Sequence, residues 1–116
     1  MMTSEKMKRA LDSALWEGHR QVVKLGYPSP YGYFARMLDK LGSVATVKAL
    51  VLSAQPPSGF TWLWEHHHLQ FSVEAIVVDG WETWGELFKD ENVRVKAIER
   101  LGKYGYHVKT PREKIG

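Results

Sequence analysis

Glu65, His66, His67 and His68 stand in an unbroken run, and carboxylate and imidazole are the groups that ligate metals and carry protons. The run is the first candidate for a zinc or hydrolytic centre. Its spacing argues against one. Consecutive residues on a helix point about 100° apart and cannot close on a single ion, whereas ligands four apart can. His19 and His107 would contribute only if the fold brought them near. The run reads instead as a solvated, partly packed cluster, with no metal ligand assigned and no cofactor expected. Other catalytic templates fail as well. No serine sits in a nucleophile-elbow pattern. Gly102-Lys103-Tyr104-Gly105 lacks both the full phosphate-loop motif and its strand–loop–helix setting. Asp39, Asp79, Glu82 and Glu86 are tied together by no catalytic pattern and read as surface charge. No catalytic residue is assigned, and a binding role is favoured over an enzymatic one.

Two groups could do recognition. Phe60, Trp62, Trp64, Trp81 and Trp84 could anchor a partner protein or stack on bases; their plainer reading is the second half of the core, with at least one ring exposed at a functional surface. Trp62 and Trp64 are two positions apart, so on a helix they cannot both be buried in the same place. Lys96, Arg100 and Lys103, at spacings of four and three, form a basic stripe on the last helix, and Lys109, Arg112 and Lys114 extend it. That stripe is the best phosphate-contacting feature of the chain. Glu91 and Glu99 dilute it, and a solvated helix face is its plainer reading.

The elements that must position these residues are legible from apolar spacing. The 116 residues allow one domain with one core, of which 44% are hydrophobic and 25% charged, a globular balance. The net charge of +3 and pI near 9.2 tolerate acidic partners without requiring them. The absence of cysteine excludes disulfides and thiolate metal sites. The polar start at residues 1–9 is unlike a signal peptide, and the apolar stretches at 49–52 and 75–78 are too short to cross a bilayer. A cytoplasmic protein with no membrane association is expected.

Residues 3–25 carry Met7, Leu11, Ala14, Leu15, Gly18, Val22 and Leu25 on one helical stripe, closed by Gly26 and Pro28. A second helix is expected from the Ser29-Pro30 start, with Phe34, Met37, Leu38 and Leu41 inward and Gly42 at its end. Ser43 reads as the cap of a third helix, apolar around much of its circumference and therefore central; a strand over 48–53 is the competing reading. After the break Gln55-Pro56-Pro57-Ser58-Gly59, a short helix capped by Ser58 and another from Ser72 are expected. In the second, Phe71 and Ile76 have hydrophobic-staple spacing. Residues 80–88 read as a connector with at most one further turn. The last helix is capped by Asp90, with Val93, Ala97, Ile98, Leu101 and Tyr104 inward. The expected fold is an all-α compact bundle of about five to six helices, two or three of them short. It comprises a single domain over 1–116, with a three-helix half at 1–54, a second half at 58–105 and a loose basic tail at 106–116.

Gly59-Phe60-Thr61-Trp62-Leu63-Trp64-Glu65, Leu69 to Val78 with Ser72-Val73-Glu74-Ala75-Ile76-Val77, Leu87-Phe88, and Arg100-Leu101 with Tyr104-Gly105-Tyr106 resemble a group of small bacterial proteins with no established activity. That group shares Gly-Phe-Thr-x-Leu-Trp-Glu, Ser/Thr-Val-Glu-Ala-x-Val and Arg-Leu-x-x-Tyr-Gly-Tyr. The likeness covers roughly residues 42–106. In the group, other residues usually stand at positions 66–68, and arginine often stands at the place of Trp62. The resemblance implies a bacterial or phage origin. It singles out Glu65 and Glu74 as structural carboxylates, a helix cap or an internal ion pair fixing the junction of the two short helices. The favoured expectation is a non-catalytic protein-binding module, an accessory or inhibitory factor in phage, restriction or defence machinery. A nucleic-acid-binding protein using the basic helix face is the second expectation, and a metal-dependent enzyme built on Glu65 and the histidines the third.

Overall fold

The first helix, α1 (Ser4–Lys24), begins where the Thr3 hydroxyl accepts the Lys6 N–H at 3.2 Å. Met7, Leu11, Leu15, Gly18 and Val22 are buried along it, as their spacing of three and four requires. It ends with Gly26 in the left-handed region at φ 101°, where Gly26 and Tyr27 donate to the Val23 and Val22 carbonyls. The computed structural model describes residues 3–28, 32–89 and 91–108. All of the regular structure among them is helical: seven α-helices and two 3-10 turns.

The second helix, α2 (Tyr33–Leu41), starts after Gly32, so the start expected at Ser29-Pro30 falls outside the described residues. Ala35, Met37 and Leu38 are buried, but Leu41 is 55% exposed. A single residue, Gly42 at φ 82°, joins α2 to α3 (Ser43–Val51). Ser43 does not cap that helix. It is the first helical residue, and its hydroxyl donates to Asp12 Oδ1 at 2.9 Å, tying α3 to α1. The competing strand does not form: residues 48–51 are helical.

The second half is a chain of short elements: α4 (Ser58–Glu65), a 3-10 turn (Leu69–Phe71), α5 (Val73–Asp79), α6 (Trp81–Trp84), a second 3-10 turn (Gly85–Leu87) and α7 (Asn92–Lys103). The count exceeds the expected five to six because the connector at 80–88 forms a helix of its own. Pro57, not Ser58, precedes α4. Ser72 does cap α5, accepting the Ala75 N–H at 3.1 Å. Asp90, expected to cap α7, lies outside the described residues. Ile98 is 39% exposed, whereas Val93, Ala97 and Leu101 are buried.

The central helix is α5, not α3. It packs against α1, α3 and α7, and Glu74, Ala75, Val77 and Val78 are all buried on its two turns. A seven-residue helix has almost no intrinsic stability in water, so this burial is what holds it. The core draws on both halves of the chain, Leu11, Leu15 and Val47 from the first and Phe60, Val77, Trp84 and Leu101 from the second. No helix among the described residues is long and apolar enough to cross a membrane.

Two glycines set the α6 packing. A Cβ on Gly80 would collide with the six-membered ring of Trp84, and one on Gly85 would come within 2.7 Å of the Trp81 indole. Trp84 is thereby buried, its Nε1–H donating to the Val77 carbonyl at 3.0 Å. Gly80→Ala is expected to cost about 1–3 kcal/mol, since a rigid indole must move. Gly102→Ala, where a Cβ meets nothing within 4 Å, should instead stabilise by up to about 1 kcal/mol through helix propensity. Urea denaturation midpoints of the two variants measure both effects.

Candidate functional site

Arg100 is the residue on which most polar geometry converges. It sits seven after Val93 and three after Ala97, on the inward stripe of α7 rather than beside it. Its Nη1 donates to Glu74 Oε2 at 2.8 Å and to the Leu50 carbonyl at 3.0 Å, and its Nη2 donates to the Ser53 carbonyl. The Arg100 and Glu74 side chains are only 10% and 2% exposed. Arg100 therefore leaves the exposed basic stripe: its charge is held by a carboxylate and two carbonyls. Burial pushes the Glu74 carboxyl above its ordinary value of 4.5, and the hydrogen bonds from Arg100 and from its own backbone N–H pull it partly back.

The remaining stripe residues are surface groups. Lys96 and Lys103 are exposed, while Lys109, Arg112 and Lys114 lie outside the described residues. Lys96 and Lys103 line a polar groove of about 270 Å³ with Ser53, Gln55, Pro56 and Tyr104. Glu99 and Arg100 complete its charged lining. Because Glu74 neutralises Arg100, two lysines and one glutamate leave the groove with one net positive charge.

The five aromatics separate by burial. Phe60 and Trp84 are buried at 3% and 8% exposure and are core. Trp81 is half-buried, stacked on Phe88 with centroids 5.6 Å apart and with Arg94 over its ring. Trp62 is half-buried, edge-on to Tyr27 and stacked on His66 at 4.1 Å. Trp64 alone of the five is exposed, at 44%. It meets Tyr104 edge to face at 5.1 Å, and Tyr104 meets Phe60 the same way at 5.2 Å. Tyr104 thus joins Trp64 to the lysine groove, bringing one member of each predicted recognition group onto a single surface.

The histidines have a conformational role that their spacing on a helix did not suggest. They are the C-terminal cap of α4, with His67 in the left-handed region at φ 62°. His67 N–H donates to the Trp64 carbonyl at 3.2 Å and His68 N–H to the Leu63 carbonyl at 2.8 Å, the paired bonds of a Schellman ending. His66 Nδ1 lies 2.8 Å from the Trp62 carbonyl. Among the described residues, no three His, Asp or Glu side chains form a group that could hold a metal ion. Of the two carboxylates expected to be structural, Glu74 forms the internal ion pair. Glu65 does not fix the junction: it is exposed at the last residue of α4.

One contact closes the C-terminal side. Tyr106 donates its hydroxyl to Asp79 Oδ2 at 2.8 Å, and burial together with that carboxylate pushes its phenol above its ordinary value. Tyr106 and Val108 pack on the core, which corrects the start of the loose tail expected from residue 106. Sequence reasoning missed this contact, since nothing local pairs residues 27 apart. Arg100 was findable: a cation at an inward helical position demands a buried partner. Comparison with protein-family profiles, curated proteins and solved structures returned no match.

Removing the guanidinium strands a buried carboxylate, so Arg100→Met is expected to cost about 3–5 kcal/mol at pH 7 by urea unfolding. Without Arg100 the Glu74 carboxyl is raised further. A raised carboxyl contributes stability at low pH that is lost as pH rises through its folded value. The deficit relative to wild type should therefore be smaller near pH 4 than at pH 7. His67→Gly, which removes the left-handed strain of a β-carbon, should stabilise by about 0.5–1 kcal/mol, read as a higher thermal midpoint.

Proposed function

We propose that the protein is a non-catalytic binding module that docks an acidic segment of another protein across Trp64, Tyr104 and the groove between residues 53–56 and α7. The observation that carries this is the position of Trp64. It is 44% exposed and rests on Tyr104, whose other neighbours are Phe60 in the core and the lysine groove. A rigid aromatic anchored from behind, with a polar rim beside it, is the usual composition of an interface hot spot. The groove's small positive surplus suits a carboxylate-bearing peptide.

Nucleic acid is less well matched. Arg100 is already paired with Glu74, Glu99 opposes the two lysines, and duplex binding with useful affinity neutralises several phosphates at once. An accessory or inhibitory role in phage, restriction or defence machinery is the setting we propose for a module of this kind.

Capture of a partner on immobilised protein, followed by titration of the purified pair, tests the proposal. Trp64→Ala should weaken binding by about 2 kcal/mol or more, roughly thirtyfold. Lys96→Glu with Lys103→Glu should slow association and reverse its salt dependence. Because both sites are exposed, circular dichroism should be unchanged. Binding indifferent to Trp64 would overturn the proposal. So would DNA or RNA binding that falls steeply with salt and disappears in the lysine variant.

A further inference from the structure

Arg100 is held from inside, yet one edge of it reaches water. Its Nη1 donates to Glu74 and to the Leu50 carbonyl, and its Nη2 donates to the Ser53 carbonyl. A guanidinium has five N–H groups, so the one on Nε and a second on Nη2 meet no acceptor among the described residues. Nε is nevertheless not one of the buried polar atoms that lack a partner, so it touches solvent. The concavity that Arg100 lines is the polar groove between residues 53–56 and α7. With its side chain only 10% exposed and three partners fixing it, this edge is a small, rigid patch.

We infer that this edge of Arg100 seats a single carboxylate, the side chain of a glutamate or aspartate in the acidic segment that the groove docks. The assignment rests on the docking reading above and adds to it the group recognised and the residue that recognises it. Nε and Nη2 are adjacent nitrogens on one edge of the planar guanidinium, an edge that takes a carboxylate in two parallel N–H···O bonds. Glu74 accepts from Nη1, so the internal ion pair does not compete for that edge. Acceptors near it are already engaged: the Leu50 and Ser53 carbonyls by Arg100, and the Gln55 carbonyl by the Ser53 hydroxyl. The ligand must therefore bring acceptors of its own.

The surrounding charge selects the kind of acceptor. Lys96 and Lys103 stand one turn to either side of Arg100, about 6 Å and about 4.5 Å along the axis of α7. Both are exposed and line the same groove, so a negative group is favoured over a neutral amide. Glu99 lies in the lining as well and leaves one net positive charge. One carboxylate brings that charge to zero. A phosphate monoester, carrying about −1.5 to −2 charges, overshoots it and meets Glu99. In the docking reading the same segment covers Tyr104 and Trp64, so the chain runs on beyond the groove and presents a side chain to it rather than its end.

The test uses the full chain and the capped peptide acetyl-Ala-Ala-Glu-Ala-Ala-amide. Its counterparts carry glutamine or phosphoserine in place of the glutamate, and a third is all alanine with a free C-terminus. Binding is followed by the Arg100 Nε–H resonance and the amides of residues 53–56. The glutamate peptide should bind saturably and move the Nε–H proton downfield, as a charge-assisted hydrogen bond does. The glutamine peptide should bind about tenfold more weakly, and the other two no more tightly than the glutamate peptide. Lys96→Gln and Lys103→Gln should each weaken the glutamate peptide about two- to fivefold, and Glu99→Gln should strengthen it by a similar factor. These three positions are exposed, and Nε–H is read in the wild-type chain, so no step depends on a variant that disturbs the core. Absence of saturable binding, an unmoved Nε–H at saturation, equal binding of the glutamine peptide, or tighter binding of either other counterpart would each overturn the assignment. If partner binding is lost in Trp64→Ala while the peptide leaves Nε–H unmoved, the carboxylate seat fails and the docking surface stands. If the peptide moves Nε–H while partner binding ignores Trp64, the seat stands and the docking surface fails.

Discussion

The guanidinium of Arg100 joins segments that are distant in sequence: the end of α3 through the carbonyls of Leu50 and Ser53, and the first turn of α5 through Glu74. Each of these groups would be costly if left alone inside the protein. A buried carboxylate, a buried guanidinium and a carbonyl at a frayed helix end all demand partners. One side chain satisfies them together, which fixes the distance between α3, α5 and α7 as well as their rotation. Apolar packing among these helices tolerates some sliding; a bidentate cation bridging a carboxylate and two carbonyls tolerates little. The short α5 can be the central element because this bond and the Ser72 cap hold it at both the side and the start.

The same economy governs the aromatics. Gly80 and Gly85 admit the indoles of Trp84 and Trp81 against the backbone, and Trp84 hands its N–H to Val77. Trp62 stacks on His66, and the histidine run closes α4. Rings that looked like a recognition group in the sequence are thus mostly occupied with holding four- to eight-residue helices that could not persist alone. Of those five rings only Trp64 is left exposed, where it meets Tyr104 beside the lysine groove.

Charge follows a parallel division. The sequence shows a basic stripe diluted by Glu91 and Glu99, and the fold takes its middle member inward and leaves a groove with one surplus positive charge. Interior electrostatics and surface electrostatics here are set by the same helix, α7, one side of which organises the core while the other faces solvent.

Period and punctuation alone determined the all-helical class, the α1 stripe from Met7 to Val22 and the inward Val93, Ala97 and Leu101 of α7. They also determined the Gly26 ending and the Ser72 cap. These are local features, set by interactions within a few residues, so they can be read one turn at a time. The exposed position of one of two tryptophans spaced by two was likewise implied by helix geometry. Tertiary structure decided which helix lies at the centre, that Ser43 reaches Asp12 rather than capping α3, and that Tyr106 docks on Asp79. It also decided that Arg100 belongs to the core and Glu65 to solvent, and that three histidines form a cap. Each of these depends on a partner 26 to 50 residues away, or on a left-handed residue that an ideal helix does not contain. Solvent exclusion, which sets the value of a charge or a hydrogen bond, exists only once the remote partner has arrived.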